Sequence, residues 1–222
     1  MHFEFLVEGQ CELTALSILM SKILGPYQDP HTWKIHKHRG IGKFPTDPAQ
    51  KPSPHDGSLL HNLSSKLRAY GNTHRKDLAV VVLVDLDNRP DCRVFKQELI
   101  HQLEFCIHKP KTLFRIAIEE LEAWYLGDQN AIALAYPKAN LDILNHYSQD
   151  SICGTWELFA KVIHDKDAQE LLTTNKRSSR LLESKVRWAK TITPWMDVEH
   201  NLSPSFIAFR NGVRQLAAKA SP

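Results

Sequence analysis

The chain has no apolar run of 18 residues, no C-x-x-C pair, no internal repeat and no low-complexity segment. The missing run excludes an ordinary transmembrane helix. Met1–His2–Phe3–Glu4 leads straight into a short strand without a signal-peptide pattern, so a cytoplasmic protein is expected. Cys11, Cys92, Cys106 and Cys153 are scattered, which indicates neither a zinc site nor a disulfide framework. A net charge of +3 neither demands nor excludes a nucleic-acid partner, and the distribution of charge has to decide. What remains is 222 residues, 42% hydrophobic and 24% charged, an ordinary globular composition. That length suffices for one large domain, or one domain with an appendage, around a substantial core.

The most informative stretch is Val80–Val81–Val82–Leu83–Val84–Asp85–Leu86–Asp87–Asn88. A short β-branched apolar run reads as a strand buried on both faces, as in the middle of a parallel sheet. Asp85 and Asp87 lie at its carboxyl end, and alternation along a strand points both to one side. In open α/β sheets that edge is where ligands bind. Two carboxylates ~4 Å apart repel by ~1 kcal/mol in water and ~4 kcal/mol at an effective dielectric of 20, so such a pair usually accompanies a cation. Oxygen ligands without His or Cys point to Mg²⁺ or Mn²⁺. The plainer alternative is a polar strand end and turn.

Other strands end in acids too. Phe3–Val7 reads as a strand followed by Glu8, Gly9 and Glu12, then a helix carrying Leu13, Leu16, Leu19 and Ile23 and stopping at Gly25–Pro26. Thr112–Ile118 reads as a strand running into Glu119–Glu120–Leu121–Glu122; a helix over 119–126 would put Glu119 and Glu122 on one face. Between them, 31–43 predicts a strand entering a basic, glycine-containing loop. There Lys37, Arg39 and Lys43 are candidates for phosphate contact, or simply charges protecting an edge strand. Residues 44–57 read as a long loop, Leu59–Tyr70 as an amphipathic helix, and 94–107 as another helix. Alternating strands and helices predict a parallel four-strand sheet flanked by helices. Residues 1–128 form this α/β core, and 129–222 are expected to be a helical extension packed upon it.

From Lys161 onward there are 11 Lys/Arg against 6 Asp/Glu, an excess that favours a polyanion or an acidic partner over a neutral small molecule. Arg177, Arg180 and Arg187 are the nucleic-acid candidates of that region. A solvated helix face is the competing reading. Ser203 and Pro204 are placed as N-cap and first residue of a last helix, with Phe206, Phe209, Val213 and Leu216 on one stripe.

A strand ending VEG followed by a later strand ending DLD resembles the Toprim domain of topoisomerases, primases and OLD-family nucleases. VEGQCE, VVLVDLDN, IEELEAWYLGD and MDVEHNLSPSF together resemble a bacterial family of Toprim-like proteins encoded beside ABC- or AAA-type ATPases in phage-defence loci. Cys11 departs from that pattern, where Thr or another small cap is expected. The resemblance implies a Toprim-like Rossmannoid core. It makes Glu8 a general acid/base and Asp85 and Asp87 Mg²⁺ ligands, with Glu12, Glu119 and Glu122 as further ligands or supporting groups and Asp91 as a lesser candidate. The expectation is therefore a Mg²⁺-dependent nuclease acting on DNA or RNA, with an ATPase as a possible partner. A non-catalytic subunit that binds the ATPase or nucleic acid is the alternative. An Asp-based phosphatase fits less well: its D-x-D motif belongs on the first strand with Thr or Val two residues on, where this chain has Arg89.

Overall fold

A computed structural model describes residues 1–163, 166–173 and 179–219. The strands are β1 (His2–Val7), β2 (Thr32–Lys37), β3 (Leu78–Asp85) and β4 (Thr112–Ala117). Helices α1 (Gln10–Leu24), α2 (Leu59–Gly71) and α3 (Cys92–His101) connect them in turn. Then follow α4 (Glu122–Leu126), α5 (Gln129–Ala135), α6 (Thr155–Ile163), α7 (Lys166–Leu171), α8 (Ser179–Ile192) and α9 (Pro204–Ala218). The sheet order is β2-β1-β3-β4, parallel throughout, as the alternation of elements predicts. From β1 the chain winds outward to β2, then returns past β1 to β3 and β4. The strand order thus reverses between β1 and β3, and in open α/β sheets ligands bind beyond the carboxyl ends of the strands near such a point.

Alternation along the two central strands sorts their side chains between two cores. Leu6, Val80, Val82 and Val84 pack with Leu63 and Leu67 of α2 and with Phe95 and Leu99 of α3. Phe3, Phe5, Val7, Val81 and Leu83 pack on the other face with α1, α8 and α9. β3 is apolar on both faces because both are covered. Asp85 continues the row of Ala79, Val81 and Leu83 and so belongs to the α1 and α8 side.

Two stretches prominent in the sequence turn out to clasp each other. Asn201 Nδ2 donates to the Trp124 carbonyl at 2.8 Å, and Trp124 Nε1 donates to Ser205 Oγ at 3.0 Å. Leu202 N donates to the Gly127 carbonyl at 2.8 Å, an approach so close that a Cβ on Gly127 would lie 2.4 Å from Asn201 Oδ1. Ser203 caps α9 by accepting from Phe206 N, with Pro204 in the first helical turn. The helix expected over 94–107 ends earlier. α3 stops at His101 and a 3₁₀ turn follows over Gln102–Phe105, leaving Ile107 almost wholly exposed beyond it. No helix among the described residues is long and apolar enough to cross a membrane.

Candidate functional site

Glu8 leaves β1 at its carboxyl end, and Gly9 turns the chain into α1. Glu12, on the first turn of that helix, reaches back so that its Oε2 accepts from Gly9 N at 2.8 Å. This is half of a capping box, the glycine having no side chain to return the bond. Residue 11 therefore has no capping task, and Cys11 is simply buried; burial, with Glu12 beside it, pushes its thiol pKa up. Across the sheet Glu8 Oε1 accepts from Asp85 N at 2.8 Å, which sews the ends of β1 and β3 together at the reversal point.

β3 and β4 stay hydrogen-bonded past their regular ends: Leu86 N donates to Ala117 O and Asp87 N to Glu119 O, both at 2.9 Å. Asp87 and Glu119 each take positive φ, 50° and 60°, so both turns bend sharply where the sheet stops. Asp87 is consequently swung outward and half-buried, with Oδ2 at 3.7 Å from Arg89 Nη1. Arg89 is itself seated over the Phe95 ring, 4.0 Å from its centroid.

The bend at Glu119 overturns the predicted helix over 119–126. α4 begins only at Glu122, so Glu119 and Glu122 do not share a helix face. Glu119 accepts from the backbone N–H groups of Cys153, Gly154 and Thr155 at 2.9–3.1 Å, and from the Thr155 hydroxyl. It thereby satisfies donors at the start of α6 and is not turned toward the other acids. Asp91 is likewise a cap, accepting from Arg93 N at 2.7 Å and Val94 N at 3.3 Å at the start of α3.

Two residues that the sequence reading passed over complete the cluster. Lys185 of α8 places Nζ 2.9 Å from Glu120 Oε1 and 3.4 Å from Glu122 Oε2. It falls in line with Leu181, Trp188 and Ile192 on the buried stripe of that helix, and a lysine at such spacing was the available signal. Glu120 lay hidden in the acidic run, where attention to a helical pair skipped the residue between.

Glu8, Glu12, Asp85, Glu120 and Glu122 thus form one interacting group of acids, and Lys185 pairs with its Glu120 and Glu122. Burial raises the pKa of Asp85 well above the usual carboxylate range, and Glu8, Glu12, Glu120 and Glu122 push in the same direction. Glu8 is pushed up to about 8, first by burial and then by Glu12, although the Asp85 amide opposes this. Glu120 rises to about 7 through burial and Glu122, and Glu12 rises through burial as well. Burial works against charge on Lys185, but Glu122, Glu120 and Asp85 outweigh it and hold the amine protonated. Asp87 is raised more simply, by burial, with Arg89 and Lys185 pulling it back.

Among the described residues, no group of three or more His, Cys, Asp or Glu side chains is arranged to hold a metal ion. The chemistry of the donors nonetheless fits a hard divalent cation. Every acid in the cluster is an oxygen donor, and the acids outnumber the one lysine. Asp85 Oδ1 and Glu120 Oε2 are sealed from solvent with no hydrogen-bond partner. Tyr125 adds a third unpartnered oxygen, its hydroxyl; burial first and then Glu122 raise its pKa. The cluster gives onto a cleft of about 410 Å³ lined by Asp87, Glu119, Glu120, Glu157 and Lys185, with Asn88 and Ser179, and by the apolar Trp156, Leu181 and Leu182.

The basic candidates divide. Lys37 ends β2 at this same edge, its Nζ donating to Gln10 Oε1 at 2.6 Å. The loop that follows is tied to the acidic turn, with Gly40 N donating to the Glu8 carbonyl at 3.0 Å and Arg39 N to the Gly57 carbonyl at 2.9 Å; Lys43 is exposed beyond it. Arg180 pairs with Glu170 at 2.6 Å, and Arg187 lies further along α8. Arg177 lies outside the described residues, as do Lys176 and Asp165 of the basic-region count.

The model of a domain of unknown function, DUF4276, matches residues 7–214, nearly the whole chain, and the chain belongs to that family. No curated protein and no solved structure gives a significant match.

Proposed function

We propose that this member of the DUF4276 family is a metal-dependent nuclease that hydrolyses phosphodiester bonds in nucleic acid at the carboxyl edge of its sheet. The observation that carries the reading is the excess of carboxylates at the carboxyl edge of a parallel sheet, with Asp85 Oδ1 and Glu120 Oε2 buried and unpartnered. A structural salt-bridge network would be expected to pair its oxygens, because an unsatisfied buried charge costs several kcal/mol, ~3–5 when one partner is removed. The sequence resemblance to Toprim nucleases supports the same class.

Asp85, Asp87 and Glu8 are the groups that would hold Mg²⁺ or Mn²⁺, with Glu120 beside them. When bound, the ion supplies charge neutralisation for an in-line displacement and a lowered pKa for an attacking water. Glu8 Oε1 is committed to the Asp85 amide, so Oε2 is the oxygen available either to the ion or, where Asp85 and Asp87 hold the ion without it, to a proton in transfer. Lys185 pairs with Glu120 and Glu122, and with Glu120 it lines the cleft. Lys37, Arg39 and Lys43, at and beyond the end of β2, would be the contacts to flanking phosphates.

The test is to incubate the purified chain with plasmid, single-stranded DNA and total RNA in Mg²⁺, Mn²⁺ or chelator, with and without a neighbouring ATPase. Cleavage that requires the divalent ion, and that Asp85→Asn abolishes, is the expected outcome. Absence of cleavage, together with no thermal stabilisation by either ion, would refute the proposal.

A further inference from the structure

The lining of the cleft is chemically divided. The turns after β3 and β4 contribute Asp87, Glu119 and Glu120, α6 adds Glu157, and Lys185 is the single positive charge among these described lining residues, so the cleft is acidic until a cation is bound. The starts of α6 and α8 contribute Trp156, Leu181 and Leu182, an apolar surface that the carboxylate chemistry does not use. Leu182 is 54% exposed although it faces a crevice, an arrangement that leaves an apolar side chain available for contact. Asp85 Oδ1 is sealed from solvent, whereas Glu120 and Lys185 of the same cluster line this cleft.

A volume of about 410 Å³ is near the small end of ligand pockets, which run from ~300 to ~1,000 Å³, and suits one nucleotide rather than a helical segment. Duplex binding relies on neutralising several phosphates at once, whereas among the described residues lining the cleft Lys185 is the one cation. Proteins that take single strands combine a positively charged groove with aromatic or apolar surface against which a base lies flat, and here Lys185 together with a cation held by the acids would supply that charge. Enzymes that act within a confined pocket on a duplex must first extrude the nucleotide.

Resting on the nuclease reading above, we infer that the substrate is an unpaired nucleotide in a single strand, loop or bulge, with its base against Leu182 and Trp156 and its phosphate toward Asp87 and Lys185. Base pairing would hold the base away from that surface, so fully paired DNA and RNA are poor substrates.

The test uses one labelled oligonucleotide sequence, as DNA and as RNA, presented single-stranded, fully paired, or paired around an internal loop of unpaired residues. Cleavage is followed in Mg²⁺ and Mn²⁺, and binding in Ca²⁺ by fluorescence anisotropy. Single-stranded and looped forms should be cut, and bound, ~10-fold or more better than the paired form, the scale of losing one base contact. Leu182→Ala should raise KM for the single strand several-fold with kcat little changed, and Leu182→Trp, which restores a surface for the base, should not raise it. Equal cutting of the paired form, or an unchanged KM in Leu182→Ala, overturns this inference and leaves the nuclease reading standing. Absence of cutting and of binding for every form, with no stabilisation by Mg²⁺ or Mn²⁺, overturns both.

Discussion

Asp85 and Lys185 hold opposite places in one electrostatic balance. Asp85 is the acid most crowded by others, so Asp85→Asn removes repulsion from the metal-free protein while keeping the side chain's shape. In chelator at mildly alkaline pH, its melting temperature should equal or exceed that of the wild type, and it should lack the Mg²⁺-dependent rise expected of the wild type. Lys185 is the counterweight. Lys185→Met keeps the packing of the stem but leaves Glu120 and Glu122 without their cation, a change expected to cost ~3–5 kcal/mol in denaturant unfolding. A mutant as stable as wild type would mean that the lysine is incidental to the cluster. Asp87 differs from both. It stands at the rim beside Arg89, and Asp87→Asn should change stability little while lowering cleavage by ~10²-fold, the scale of losing one preorganised electrostatic contact.

At the level of elements, the acids that look alike in the sequence divide into those that build helix ends and those that face the crevice. Glu119 gathers three backbone N–H groups and a hydroxyl at the start of α6, and Asp91 does similar work for α3. Glu119→Ala should therefore destabilise the fold by ~1–2 kcal/mol, as loss of a cap does, and leave the Mg²⁺-induced rise in melting temperature intact. A mutant that folds normally but no longer responds to Mg²⁺ would return Glu119 to the ligand set. The clasp between Trp124 and the segment from Asn201 to Ser205 is an element-scale device too. It joins α4, which carries Glu122, to the start of α9, so two motifs far apart in the chain hold one another and, through them, the floor of the site.

For the molecule as a whole, the cluster makes stability depend on pH in a defined direction. The folded-state pKa of Glu8 is about 8 against an ordinary value of 4.5, so between those values the native state binds more protons than the unfolded chain. Stability present below the unfolded value is then lost as pH rises through about 8. Asp85, Glu12 and Glu120 shift the same way and add to the slope. Melting temperatures in chelator should fall steadily between pH ~5 and ~8.5, and Mg²⁺ should flatten that fall, because a cation replaces the protons that folding otherwise takes up. A melting temperature that rises over this range in chelator would mean that the acids are paired differently from the arrangement described.

The sequence by itself determined the sheet and the edge at which its acids collect. β-branched runs and alternating helical stripes are local patterns, and a parallel sheet necessarily sends its carboxyl ends to one side, so Glu8, Asp85 and Asp87 were legible as neighbours of one edge. Tertiary structure alone decided which carboxylates meet. Positive φ at Glu119 delays α4 and turns that side chain toward α6, a choice between two ways of satisfying backbone donors that no local periodicity encodes. Lys185 reaches the cluster because α8 packs on α1 and brings it there from a hundred residues beyond β3. A lysine on an apolar stripe announces that it has a buried partner, but only the packing of helices names Glu120 and Glu122 as that partner.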